Sequence, residues 1–103
     1  RLGRPGRMFE IGLNESGDVL ISGRLDAAQA DVAQEFLDNI SGPCVVDLSE
    51  LDYISSAGLG VLLRTHKRLM AQDRGLELVN VNSHINEIFS YSGFDKLFII
   101  KTA

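Results

Sequence analysis

The chain has one cysteine, Cys44, two prolines and no tryptophan in 103 residues, and each scarcity excludes something. A single thiol cannot close an internal disulfide, which fits a reducing cytoplasm. Lying inside the apolar run PCVVDL, Cys44 reads as a small buried hydrophobe rather than a nucleophile. With so little proline, and with 45% hydrophobic against 23% charged residues, the composition is neither disordered nor collagen-like. Long apolar runs are missing too: stretches such as AGLGVLL fall well short of the ~20 residues that cross a bilayer. Positive charge is not in excess. The formal net charge of -4 counts against a nucleic-acid footprint, which needs clustered cations to displace phosphate counterions. Two separated histidines, His66 and His84, with one cysteine offer no metal-ligand spacing, so neither a metal nor a cofactor is expected.

What remains has the length of one globular domain. The opening RLGRPGR has three arginines and no apolar segment, so it is not a signal peptide. With Met8 directly after it, residues 1–7 read as a vector-derived or disordered leader, and residues 8–103 as the domain. From Phe9 the chain alternates, with Phe9, Ile11 and Leu13 on one side. It breaks at NESGD and resumes as VLISGRL, a β-hairpin pattern in which Gly17 supplies the positive φ of the turn.

Asp26 precedes AAQADVAQEFLDNI, where Ala30, Ala33, Phe36 or Leu37, and Ile40 recur at helical spacing. Asp26 is the expected N-cap of that helix, and Gly42 with Pro43 its stop. CVVDL suits a strand covered on both faces. A second helix is expected from about Ser56 to Gln72, with Leu59, Leu62, Leu63, His66, Leu69 and Met70 on its apolar side. His66 there reads as a packed histidine. LELVNV reads as a strand, SHINEIFSYSGF as a short helix capped by Ser83 and closed by Gly93, and KLFII as a last strand. The order β-β-α-β-α-β-α-β implies an α/β domain. Its mixed, mostly parallel sheet has about five strands, with helices packed against it and one antiparallel hairpin.

Chemistry concentrates at LDYISSAGLGVLL, where Ser55 and Ser56 stand at the seam between an apolar strand-like run and the long helix. A helix start leaves amides unpaired and carries partial positive charge, so one serine is explained as a cap. Two are not. Ala57, Gly58 and Gly60 keep the junction small, and glycines inside a helix cost roughly 1 kcal/mol each, which suggests close approach of another protein. A phosphate at Ser56 would be tolerated by the free amides and the helix dipole.

The segment VVDLSELDYISSAGLGVLL resembles the signature of STAS domains, the anti-sigma factor antagonists and their relatives. SGRLD at residues 22 to 26 is similar to the family's G-x-L-D step, and INEIFSYSGFDKLFII to its closing segment. The resemblance implies a STAS-like single domain that binds an anti-sigma factor serine kinase of the GHKL type while unphosphorylated. Phosphorylation releases it and a serine phosphatase restores it. The phosphoacceptor falls on Ser56, with Ser55, at the family's aspartate position, as a minor candidate. The partner-binding set comprises Asp26, Ser55, Ser56, Ala57, Gly58, Leu59 and Gly60. Many relatives continue into a final helix. Without one, the sheet face it would cover is expected to be exposed or used for self-association, giving a monomer or a weak homodimer.

Enzymatic readings fail on spacing. GLGVLLRTHK is not a P-loop, ISSAG is not a nucleophile elbow, and Asp47 lacks the acidic cluster of a receiver domain. Arg64, Lys67 and Arg68 form a basic stripe on the solvent face of the long helix, usually a solvated face but able to dock an acidic partner. The expected role is therefore a non-enzymatic binding switch. The alternative is a non-phosphorylated STAS subunit acting as structural partner of a membrane transporter complex.

Overall fold

The computed structural model describes residues 8–102, so the expected leader at residues 1–7 lies outside the described residues. The first half runs β1 (Glu10–Leu13), β2 (Val19–Leu25), α1 (Ala30–Asp38), β3 (Cys44–Asp47) and β4 (Leu51–Ile54). The second runs α2 (Ser56–Met70), β5 (Leu76–Val81), α3 (Ser83–Ser92) and β6 (Ile99–Thr102), with a 3-10 turn at Phe94–Lys96 before the last strand. One pair, β1 with β2, is antiparallel, and all others are parallel. The mixed α/β sheet is as expected, but it has six strands rather than five.

The extra strand is β4, and β2 explains it. Residues Val19 and Leu20 of β2 pair with β3, whereas Gly23 to Leu25 pair with β4, and the register shifts between Gly23 and Arg24. Gly23 has φ 82°, a conformation that glycine adopts without a Cβ penalty. Its N–H donates to the Glu50 carbonyl at 3.0 Å. A bulge of this kind bends a strand and increases its twist. The end of β2 thus leaves β3 and takes up β4, which carries the chain straight into α2.

Alternation along the strands fixes the two faces of the sheet. Val19, Ile21, Leu25, Cys44, Val46, Leu76 and Leu78 are buried in one core with Ala33 and Leu37 of α1 and Leu59, Val61, Leu62 and Leu69 of α2. Between them, Leu20, Val45, Asp47, Glu77 and Val79 are only partly buried. Of the apolar side expected for α2, Met70 is instead 56% exposed, and the buried set includes Thr65. The Thr65 hydroxyl donates to the Val61 carbonyl one turn back at 2.9 Å, so it enters the core with its polar group satisfied. His66 is buried, accepts the Leu76 N–H on Nδ1 at 3.2 Å, and lies 4.9 Å from the Phe98 ring. It is a packed histidine, as its place on the helix indicates.

Two expected caps move. Helix α1 begins at Ala30, after a turn, with no side chain on its first amides. Asp26 instead closes that turn, its Oδ1 accepting from Ala28 N–H at 3.1 Å and its carbonyl from Gln29 N–H at 3.1 Å. Asn82, not Ser83, caps α3 by accepting the Ile85 N–H at 2.9 Å. Gly93 closes α3 in the left-handed conformation, φ 77°, as expected of a glycine just past a helix. Gly17, with φ 84°, turns the β1–β2 hairpin.

Candidate functional site

The two serines divide the work. Ser55 is the N-cap of α2: its backbone is extended, φ -91° and ψ 175°, and its hydroxyl accepts the Gly58 N–H at 3.2 Å. Its own N–H donates to the Leu25 carbonyl at 2.9 Å, which ties the start of the helix to the end of β2. Its carbonyl accepts the first helical bond, from Leu59 N–H at 2.9 Å. Ser56 is then the first helical residue. It is exposed, and among the described residues its hydroxyl has no hydrogen-bond partner. The N–H groups of Ser56 and Ala57 are likewise unpaired among the described residues, as the first amides of a helix are unless a cap reaches them. No acidic side chain lies in this first turn. An exposed hydroxyl therefore stands beside two free amide donors at the positive end of a fifteen-residue helix, an arrangement that favours negative charge.

Gly58 serves internal packing, and Gly60 the lie of a surface side chain. A Cβ on Gly58 would stand 2.6 Å from the Leu25 carbonyl oxygen and 2.8 Å from both Ile54 Cγ1 and Leu25 Cγ. Gly58 lets α2 press against the β2–β4 seam, and that closeness brings Ser55 within reach of Leu25. At Gly60 the missing Cβ makes room for the guanidinium of Arg64, whose Nη1 would lie 3.1 Å from it. Gly58 and Leu59 are both buried, so the surface members of the expected set are Asp26, Ser55, Ser56, Ala57 and Gly60. Asp26 follows directly on Leu25, whose carbonyl binds Ser55, so the turn after β2 and the start of α2 form one edge of the domain.

Other groups around that edge depend on the tertiary pairing. Arg24, opposite Tyr53 in the β2–β4 register, stacks its guanidinium over the Tyr53 ring at 4.2 Å. Gln34 of α1 accepts Arg64 Nε–H at 3.0 Å and donates from Nε2 to Thr65 Oγ1 and to Asp38 Oδ1, at 3.2 and 3.0 Å. Neither contact is legible without knowing that β4 joins β2 and that α1 lies along α2. The basic stripe is not uniform. Arg68 is half-buried across the end of α1, donating to the Leu37 carbonyl at 2.8 Å and lying 3.9 Å from Asp38, whereas Arg64 and Lys67 are exposed.

Cys44 is far from a nucleophile. It is 4% exposed, and burial pushes its thiol up to about 11. Among the described residues no group of three histidine, cysteine, aspartate or glutamate side chains is placed to hold a metal, and no helix is long and apolar enough to cross a membrane.

Against known proteins, the family described as "Mlab, STAS domain" matches residues 12–101. BtrV of Bordetella bronchiseptica, which bears the name of an anti-sigma factor antagonist, is 38% identical over 80 residues, covering 78% of this chain and 68% of BtrV. The fold is similar to the crystal structure of an anti-sigma factor antagonist from Mycobacterium paratuberculosis. That match has TM-score 0.77 and 21% identity, covering 93% of this chain and 86% of the other. It is also similar to the Bacillus cell fate determinant SpoIIAA in its phosphorylated form, with TM-score 0.64 and 19% identity over 92% of each chain. Together with the strand order and the serine-glycine junction, the match over residues 12–101 establishes that the chain belongs to the STAS domain family.

Proposed function

We propose that this chain is an anti-sigma factor antagonist switched by reversible phosphorylation of Ser56. In the unmodified state the edge formed by the β2 end and the first turns of α2 binds an anti-sigma factor serine kinase. Phosphorylation of Ser56 releases it, and a serine phosphatase resets the surface. The observation that carries this reading is the division between the serines: Ser55 is engaged as the cap, while Ser56 is exposed with its hydroxyl free.

The physics supports each step. A phosphoryl group adds about -1.5 to -2 charge at a point where two amides and the helix dipole accommodate it, so the fold survives modification. The surface changes sign and bulk, which disrupts a protein docked over the same turn. The names of the relatives and the existence of this fold in a phosphorylated form support the same assignment.

Titration calorimetry with the purified anti-sigma factor serine kinases of the source genome tests it. Ser56→Ala is expected to fold and to bind one of them as the unmodified chain does, and Ser56→Asp to bind it at least about ten-fold more weakly, the scale of a like-charge or steric mismatch at an interface. Equal affinity for the two variants would contradict the proposal.

A further inference from the structure

Ser56, Gly60 and Arg64 are spaced four apart on α2 and so share one stripe of its surface. Helical side chains lean toward the N-terminus, and Arg64 follows that direction over the gap left by Gly60, with Nη1 3.1 Å from where a Cβ would stand. Four residues of helix rise about 6 Å, so the guanidinium rests about one turn below Ser56. Gln34 holds it there by accepting from Nε at 3.0 Å.

Among the described residues Arg64 has no carboxylate partner and its two Nη nitrogens have no acceptor, while its Nε is engaged by Gln34. Three other cations of the fold are engaged. Arg68 faces Asp38 and the Leu37 carbonyl, Lys101 pairs with Glu77 at 2.8 Å, and Arg24 is stacked on Tyr53. In a chain of net charge -4, Arg64 and the neighbouring Lys67 place exposed positive charge on this face of α2. A planar fork with its outer donors free matches the two oxygens of a carboxylate. The hydrogen bond to Gln34 biases the side chain toward this position and so lowers the ordering cost of using it.

We propose that Arg64, laid over Gly60 and fastened by Gln34, is the anchor by which this site takes an aspartate or glutamate carboxylate of its protein partner. The proposal rests on the reading of the Ser56 edge as a partner-binding switch. It adds the chemistry that the partner must bring: an acidic side chain reaching one helical turn beyond the residue that faces Ser56.

The probe is the purified anti-sigma factor serine kinase that binds the unmodified chain, titrated at two salt concentrations against Arg64→Ala, Arg64→Lys, Gln34→Ala and Ser56→Asp. Arg64 is exposed, so Arg64→Ala is expected to melt with the parent. It should bind about ten-fold more weakly or worse, as truncating one partner of a docked charge pair does, and with a shallower salt dependence. Arg64→Lys should recover only part of the loss, because the charge returns without the fork, and Gln34→Ala should fall between. If Ser56→Asp weakens binding while Arg64→Ala leaves affinity and salt dependence unchanged, the anchor is refuted and the switch stands. If Ser56→Asp itself binds as well as the parent, the switch reading fails, and the anchor as part of that switch fails with it.

Discussion

Replacing Gly58 by alanine separates internal packing from partner access as the reason for the small residues at the start of α2. On helix propensity alone, Gly58→Ala should stabilise the protein by about 1 kcal/mol. The added methyl would, however, stand 2.6 Å from the Leu25 carbonyl oxygen and 2.8 Å from Ile54 Cγ1 and Leu25 Cγ. The nearest of these atoms is backbone and already accepts the Ser55 N–H, so it cannot move without loosening the cap junction. Overpacking a rigid site costs about 1 to 3 kcal/mol, and three contacts this short belong at the upper end. After the propensity gain, the expected net loss is about 2 kcal/mol. In a domain of this size that lowers the melting temperature by roughly 8 to 16 °C. Gly60→Ala is the internal comparison. Its methyl meets only the far end of Arg64 at 3.1 Å, which can swing aside, so the variant should be as stable as the parent or up to about 1 kcal/mol more stable. Urea denaturation followed by circular dichroism reads both. A Gly58→Ala protein as stable as Gly60→Ala would refute the packing argument and return Gly58 to the partner-facing role that its sequence context suggests.

Two further outcomes follow from the same geometry. Ser55→Ala removes the acceptor of the Gly58 N–H and should cost about 1 kcal/mol in urea denaturation, whereas Ser56→Ala should cost close to nothing. Cys44 supplies a pH dependence. Burial raises its thiol from 9.0 to about 11 in the folded state, so the unfolded chain loses that proton first as pH rises. The thiol leaves stability unaffected below pH 9. Between 9 and 11 it lowers stability by about 1.4 kcal/mol per pH unit. The stability difference between the parent and Cys44→Ala should therefore shift in favour of the variant across that interval. A constant difference from pH 8 to 11 would show the thiol to be solvated rather than buried.

Much of this was legible in the sequence, because periodicity and punctuation agree there. LELVNV is a strand from its first residue to its last, α2 starts at the serine pair, and Gly17 and Gly93 hold the positive φ values that their positions call for. The strand β4 was legible only in part: LDYI reads as a strand-like run, but the order β-β-α-β-α-β-α-β leaves it out and nothing in it shows its partner. Its four residues are covered at the two ends rather than alternately, and it exists because the end of β2 turns aside at Gly23. An isolated glycine within a strand pattern is a bulge signal, and Gly23 was the clue to that bend. Asp26 misled as a cap because an aspartate two residues before a free amide closes a turn as readily as it starts a helix. The site divides in the same way. Local sequence marks Ser55 and Ser56, but only tertiary packing shows that Gly58 serves Leu25, that Gly60 serves Arg64, and that Gln34 of another helix holds that arginine in place.

The central claim is that Ser56 is the residue offered for modification while its neighbour is committed to the helix cap. Incubation of the unmodified chain with the binding serine kinase and Mg-ATP, followed by mass-spectrometric localisation of the phosphate, tests it most directly. A single phosphate on Ser56, absent from Ser56→Ala and retained in Ser55→Ala, is the expected result. A phosphate on Ser55 instead, or none on either serine after the kinase has been shown to bind, would contradict it.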